Sequence, residues 1–216
     1  MLPIISVVGA KNAGKTTVVE ALVRELTQRG RRVATIKHCA HGFELDRPGS
    51  DSARHAQAGA VAVALRGPDE FALLGKGEEP NFLRLAAFLL EEAEAIIAEG
   101  FAQEDLPKIE VVRKAVSENP LHSPEQLMAI VSDVPRAWPV PYFSFEDSAG
   151  LADLVESRLV TLRQEATLIV DGKYIPLNLF ADSIVAATVR GAVSALRDVP
   201  DRPERITLQL RRRGQE

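Results

Sequence analysis

The chain has 216 residues, with 26 basic and 30 acidic side chains for a net charge of −4, and one cysteine, Cys39. That length fits one α/β domain, or one domain with a small addition, and a chain of this size buries roughly 70% of the surface it exposes when unfolded. A lone cysteine excludes an intramolecular disulfide framework and suits a reducing compartment, and an acidic excess confined to the first 163 residues argues against nucleic acid as a partner. No basic leader precedes Pro3, and no apolar run is long enough to span a bilayer. The expectation is a cytoplasmic protein with no membrane partner.

Taken in chain order, residues 4–8 (Ile-Ile-Ser-Val-Val) read as a buried strand. Gly9-Ala10-Lys11-Asn12-Ala13-Gly14-Lys15-Thr16 then matches the phosphate-loop pattern G-x-x-x-x-G-K-[ST], and Thr17 follows it. A helix is expected from Lys15 to about Arg29, because Val18, Val19, Leu22, Val23 and Leu26 fall at helical spacing. Strand, glycine turn and helix start are the context such a loop needs. Gly9 and Gly14 let the backbone curl so that N–H groups point inward, and the helix start adds unpaired donors and a positive dipole end. Lys15 is positioned to reach the β- and γ-phosphates, and the Thr16 hydroxyl to ligate Mg2+.

Gly30 stops that helix and residues 33–36 form a second strand. Residues 38–49 are polar and aperiodic, a loop, and Ser50 or Asp51 caps a short helix to about Ala58. Strands are expected at 61–65 and 71–74, joined by the turn Gly67-Pro68-Asp69-Glu70, and Asn81 as the cap of a helix through Leu90. Further strands fall at 95–98, 108–113, 127–131 and 142–143, with a helix from about Ser148 to Leu159. Alternation of strands and helices implies a mainly parallel sheet with helices on both faces, the architecture of a P-loop NTPase. Ligands in such sheets sit beyond the carboxyl ends of the strands, where the Gly9 loop, the His38 loop, Glu99 and Asp133 all fall.

The character changes at about Gln164, which divides the chain into a nucleotide-binding domain over 1–163 and an extension over 164–216. In the extension, Asp171-Gly172 is a two-residue hairpin turn, Asn178 caps a helix, and residues 206–210 alternate as a strand does. A ββαβ unit this small is expected to dock on the main domain or on a second subunit. Arg211-Arg212-Arg213 is either a contact for an acidic partner or a solvated terminal run.

Glu99 follows an apolar strand and precedes a glycine, so its carboxylate is placed to hold Mg2+ or orient an attacking water, against the alternative of a surface acid. Asp133 ends another strand. It either accepts the paired N–H donors of guanine or serves as a cap or loop charge, and the full N-K-x-D motif is absent. His38, Cys39 and His41 supply too few ligands for a tetrahedral metal site, so they read better as a loop contacting phosphate or substrate. Asp46, Asp51 and Arg54 lie in or just after that loop, where a γ-phosphate and Mg2+ would order them. His122 reads as a surface residue, and Lys108 and Arg113 as either phosphate contacts or edge charges.

These residues together resemble the molybdopterin-guanine dinucleotide biosynthesis protein B (MobB) family, P-loop GTPases. The similarity lies in Val8 through Thr17, Val33 through His38, His41 through Asp46, Pro48 through His55, Gln57 through Ala60, Glu99-Gly100-Phe101 and Pro107 through Glu110, over about the first 160 residues. It implies a homodimeric GTP-binding protein with weak GTPase activity that assists the molybdopterin guanylyltransferase, with a molybdopterin species as a further candidate ligand. Carried over by position, Gly9, Lys11, Asn12, Ala13, Gly14, Lys15, Thr16 and Thr17 bind phosphate and Mg2+. Lys15, Glu99 and Asp46 are then the catalytic candidates, Thr16 and Glu99 the metal ligands, and His38 and His41 border the nucleotide, with Asp133 added as a base contact on its own strand-end reading. The family often has K-H-D-H-H-G where this chain has Lys37-His38-Cys39-Ala40-His41-Gly42, so an acid and an imidazole are missing. Without an evident arginine finger, turnover on the order of 10⁻⁴ to 10⁻² s⁻¹ is expected. Two other readings use the same residues: a small-metabolite kinase, or a metal-delivery GTPase built on His38, Cys39 and His41.

Overall fold

A computed structural model describes residues 2–75, 82–134, 137–162, 165–171, 173–200, 203 and 205–210. The chain divides into two compact units, one over 3–161 and one from 162 onward with the first two residues.

The larger unit is built on a six-stranded sheet of order β2-β5-β1-β6-β7-β8. Its strands are β1 (Ile4–Val8), β2 (Val33–Lys37), β5 (Ala95–Glu99), β6 (Lys108–Val112), β7 (Leu127–Ser132) and β8 (Tyr142–Phe143). Every pairing within it is parallel, as expected of runs such as Ile-Ile-Ser-Val-Val that are buried on both faces. One face packs on α1 (Lys15–Gln28) and α4 (Ser148–Leu162). There Val18, Val19, Leu22 and Leu26 of α1 and Leu151, Ala152 and Val155 of α4 close over Ile5, Val7, Ile97, Ile109, Val111, Ala129 and Val131. Salt bridges link the chain just past the end of α1 to α4: Arg29 reaches Asp153 at 2.6 Å and Glu156 at 2.9 Å, and Arg31 reaches Glu156 at 2.7 Å. Helix α3 (Phe82–Leu89) contributes nothing to that cluster. It buries Phe82 and Ala86, and Phe82 packs on Phe101 just after β5 with ring centroids 4.6 Å apart.

The opposite face carries the polar residues of the sheet interior, Ser6, Lys108, Glu110 and Ser132. Each has partners. The Lys108 ammonium donates to the carbonyls of Glu104 (2.6 Å) and Leu106 (3.3 Å). Glu110 accepts from the backbone N–H of Leu121 (2.5 Å) and His122 (3.0 Å), with His122 Nδ1 at 3.0 Å from Oε2. His122 is therefore no surface residue: its side chain is 12% exposed and pinned to a carboxylate inside the sheet layer. Lys108 is likewise neither a phosphate contact nor an edge charge: it is buried in the sheet, and two of its three N–H donors go to carbonyls of the preceding loop.

Between β2 and α3 lie α2 (Asp51–Gln57) and a separate antiparallel pair, β3 (Ala62–Arg66) and β4 (Phe71–Gly75). Helix α2 starts on Ser50, whose hydroxyl accepts from the Ala53 N–H at 3.1 Å. The hairpin exposes Leu65, Phe71 and Leu73. In the smaller unit β9 (Leu168–Val170) pairs with β10 (Lys173–Ile175), and α5 (Leu179–Ser194) begins on Asn178, whose side chain accepts from the Ala181 N–H at 2.8 Å. The strand expected at 206–210 does not form among the described residues. Asn81, Gly172 and residues 211–213 lie outside the described residues. Among those described, no helix is long and apolar enough to cross a membrane.

Candidate nucleotide site

The Gly9 loop joins the carboxyl end of β1 to the first turn of α1, and its two glycines are each required by their surroundings. Gly9 has φ 138° and Gly14 φ 100°, both unfavourable for any side chain. A Cβ on Gly9 would run into the Val111 carbonyl of β6, and one on Gly14 would lie 3.2 Å from both Arg113 and Phe145. Asn12 takes the left-handed conformation at φ 63°, which asparagine tolerates better than most residues. Helix α1 starts without a side-chain cap and without an acidic residue in its first turn. Its first N–H groups and positive dipole end are thus left to an outside anion. Lys15 folds back over the loop, donating to the carbonyls of Gly9 (3.0 Å) and Ala10 (2.7 Å). Lys11, Asn12 and Thr17 are exposed along the loop, and Ala13 is buried beneath it.

Glu99 stands at the end of β5, the neighbour of β1. Thr16 Oγ1 donates to Glu99 Oε1 at 3.0 Å, across 83 residues of chain. Lys37, the last residue of β2, places Nζ 3.0 Å from the same oxygen. The register pairs Lys37 directly with Glu99, and the His38 N–H donates to the Glu99 carbonyl at 3.0 Å. The hydrogen bond and charge of Glu99 hold the Lys37 ammonium above its ordinary pKa. A hydroxyl and a carboxylate brought together at 3.0 Å are the kind of oxygen donor set a hard divalent ion takes. From this junction a groove of about 640 Å³ runs between α1 and β2, lined by Val19, Val23, Thr35 and Ile36.

The other expected site residues are less closely joined. His38 packs against Phe101 with centroids 5.4 Å apart, and His41 is exposed in the loop that follows. No group of three or more His, Cys, Asp or Glu among the described residues is arranged to hold a metal ion. Asp46 accepts from the Ser50 hydroxyl at 2.7 Å, and the hydroxyls of Ser50 and Ser52 hold its carboxyl below the usual range. That network organises the start of α2. Asp133 is exposed past the end of β7, two strands from β1, where Oδ1 accepts the Lys114 N–H at 2.7 Å. Arg113 is a residue whose placement the sequence left open. Its guanidinium lies 4.5 Å above the Phe145 ring beside Gly14, with Nε buried and unpaired. The signal for Lys37 and Arg113 was a basic residue at the carboxyl end of an apolar strand.

A parallel sheet with a glycine loop opening an uncapped helix, and a strand-end acid on the neighbouring strand, define a P-loop NTPase-like architecture. The family model described as Molybdopterin guanine dinucleotide synthesis protein B (MobB) matches residues 4–133. The chain belongs to the MobB family. It is 32% identical over 165 residues to the molybdopterin-guanine dinucleotide biosynthesis adapter protein of Escherichia coli K12, covering 72% of this chain and 92% of that one. The putative adapter protein of Methanocaldococcus jannaschii is 25% identical over 233 residues and spans 96% of this chain and 97% of its own, so the similarity there runs into the C-terminal unit. Among solved structures, a molybdopterin-guanine biosynthesis protein B superposes with TM-score 0.56 at 26% identity, covering 73% of this chain and 99% of that one.

Proposed function

We propose that this protein is an adapter of molybdopterin guanine dinucleotide biosynthesis that binds GTP with Mg2+ at the Gly9 loop and hydrolyses it slowly. The observation that carries the reading is the meeting of Thr16 and Glu99 at 3.0 Å beside a helix start left open to an anion. In this reading the loop amides and Lys15 cradle the phosphates, Lys15 exchanging its two carbonyl acceptors for phosphate oxygens. Thr16 and Glu99 hold Mg2+, which supplies charge neutralisation of the β- and γ-phosphate oxygens when bound. Glu99 is 13% exposed, so its carboxylate acts close to the phosphates with little competition from bulk water. Asp46 stays a candidate for catalysis only through movement of residues 38–50, since its present partners are Ser50 and Ser52.

The partner in this reading is a molybdopterin guanylyltransferase, and the working form is a homodimer. What supports self-association is the β3–β4 hairpin, with Phe71 65% and Leu73 58% exposed on a two-stranded sheet. Isothermal calorimetry of GTP and ATP against the wild-type chain and Lys15→Ala tests the nucleotide assignment. Binding of GTP that the substitution abolishes is expected, and an affinity that Lys15→Ala leaves unchanged refutes it.

A further inference from the structure

We infer that Lys37 is a tethered competitor of the divalent ion, holding Glu99 Oε1 until the metal displaces it and thereby setting how tightly the metal binds. The inference rests on the reading that Thr16 and Glu99 hold Mg2+. Oε1 is the meeting point of two groups: it accepts from Thr16 Oγ1 at 3.0 Å and lies 3.0 Å from Lys37 Nζ. A magnesium ion seated beside Thr16 takes the carboxylate through Oε1, the oxygen that faces that hydroxyl, at roughly 2.0–2.1 Å, and so needs the lone pairs that the hydroxyl and the ammonium now use. Two cations on one carboxylate oxygen repel one another, and one of them leaves.

The exposures decide which group moves. Glu99 is 13% exposed and its main chain is fixed on both sides, by β1 and by β2; the Lys37 side chain is 55% exposed and sits on the edge strand of the sheet. Glu99 is the fixed base and Lys37 the part free to swing out. The direct pairing of Lys37 with Glu99 keeps the ammonium within reach of the carboxylate at all times, so the competition is intramolecular and independent of protein concentration. A half-exposed ion pair is a weak competitor. Removing it tightens the metal about two- to fivefold. A lysine that merely braced Glu99 would have the opposite effect, since its loss would loosen the carboxylate and weaken the metal.

The test uses the full chain saturated with a non-hydrolysable GTP analogue and titrated with Mn2+, the free ion being counted by electron paramagnetic resonance. Lys37→Met, with Lys37→Gln as a second variant, is expected to lower the Mn2+ dissociation constant two- to fivefold. In the wild-type chain, Mg2+ is expected to speed reductive methylation of Lys37, followed by mass spectrometry. A dissociation constant that stays level or rises overturns the inference, as does labelling that Mg2+ slows or leaves alone. If the wild-type chain takes up neither the analogue nor Mn2+, the nucleotide reading itself falls and this inference with it. If it takes up both and the variants match it, only the role of Lys37 falls.

Discussion

Glu110 offers a sharp test of how the floor of the site is built. It is 1% exposed in β6, level with Val8 of β1, and its carboxylate accepts two backbone N–H groups and approaches one imidazole nitrogen. Glu110→Gln keeps the shape but leaves one acceptor oxygen, so either the Leu121 or the His122 N–H then faces an amide NH2. One buried donor without a partner costs about 1–3 kcal/mol, and exchanging a charged acceptor for a neutral one costs about 1 kcal/mol more. The sum is about 2–4 kcal/mol. The single tryptophan, Trp138, packs against the cluster of Val112 on β6, Leu127 and Ile130 on β7 and Val134 just past β7, so its fluorescence follows unfolding of this region in urea. With a slope of about 2 kcal/mol/M the midpoint falls by about 1–2 M. A shift below about 0.3 M would show that the carboxylate's three contacts contribute little to stability.

Two further substitutions probe other links. Gly9→Ala forces a Cβ into φ 138° and onto the Val111 carbonyl, so a loss of at least about 2 kcal/mol in thermal or urea unfolding and loss of GTP binding by calorimetry are expected together. Arg31 first, and Arg29 after it, hold the Glu156 carboxyl below its ordinary value of 4.5. A carboxylate lowered on folding adds stability that is present above that value and lost as pH falls through the lowered one. Arg31→Gln is therefore expected to lower the melting temperature more at pH 6 than at pH 3, and an equal drop at both would contradict the brace between α1 and α4.

The strand, glycine turn and helix start around Gly9 were legible in the sequence because their logic is local. Two glycines, Lys15 and Thr16 sit between an apolar run and a helical period, and nothing distant is needed to read them. The Thr16–Glu99 meeting was half legible: each residue announced itself by its place at a strand or helix end, but the distance between them follows only from β1 and β5 being neighbours. Glu110 was not legible as it stands, since a charged residue in a strand reads the same whether it faces water or partners inside the fold. For the same reason His122 looked like a surface residue, its partner lying on another element. The alternation at 206–210 raised a strand that the fold does not make, because alternation requires a neighbouring edge to become a strand. Asp133 and Asp46 show the converse: both are acids at expected places, yet each is engaged by nearby backbone or hydroxyl groups.

Ser6, in the middle of β1, grips both ends of the eight-residue passage that carries the chain from β5 over to β6. Its hydroxyl donates to the Gly100 carbonyl at 2.5 Å, and its main-chain N–H donates to the Pro107 carbonyl at 2.9 Å. The acid at the end of β5 is thereby mounted on a short, doubly anchored bridge, with the Lys108 ammonium riveted to the same span. Such a mount has little slack to give when a ligand arrives. Any yielding falls on the other bank of the site, where β2 lies at the rim of the sheet and runs out into residues 38–50.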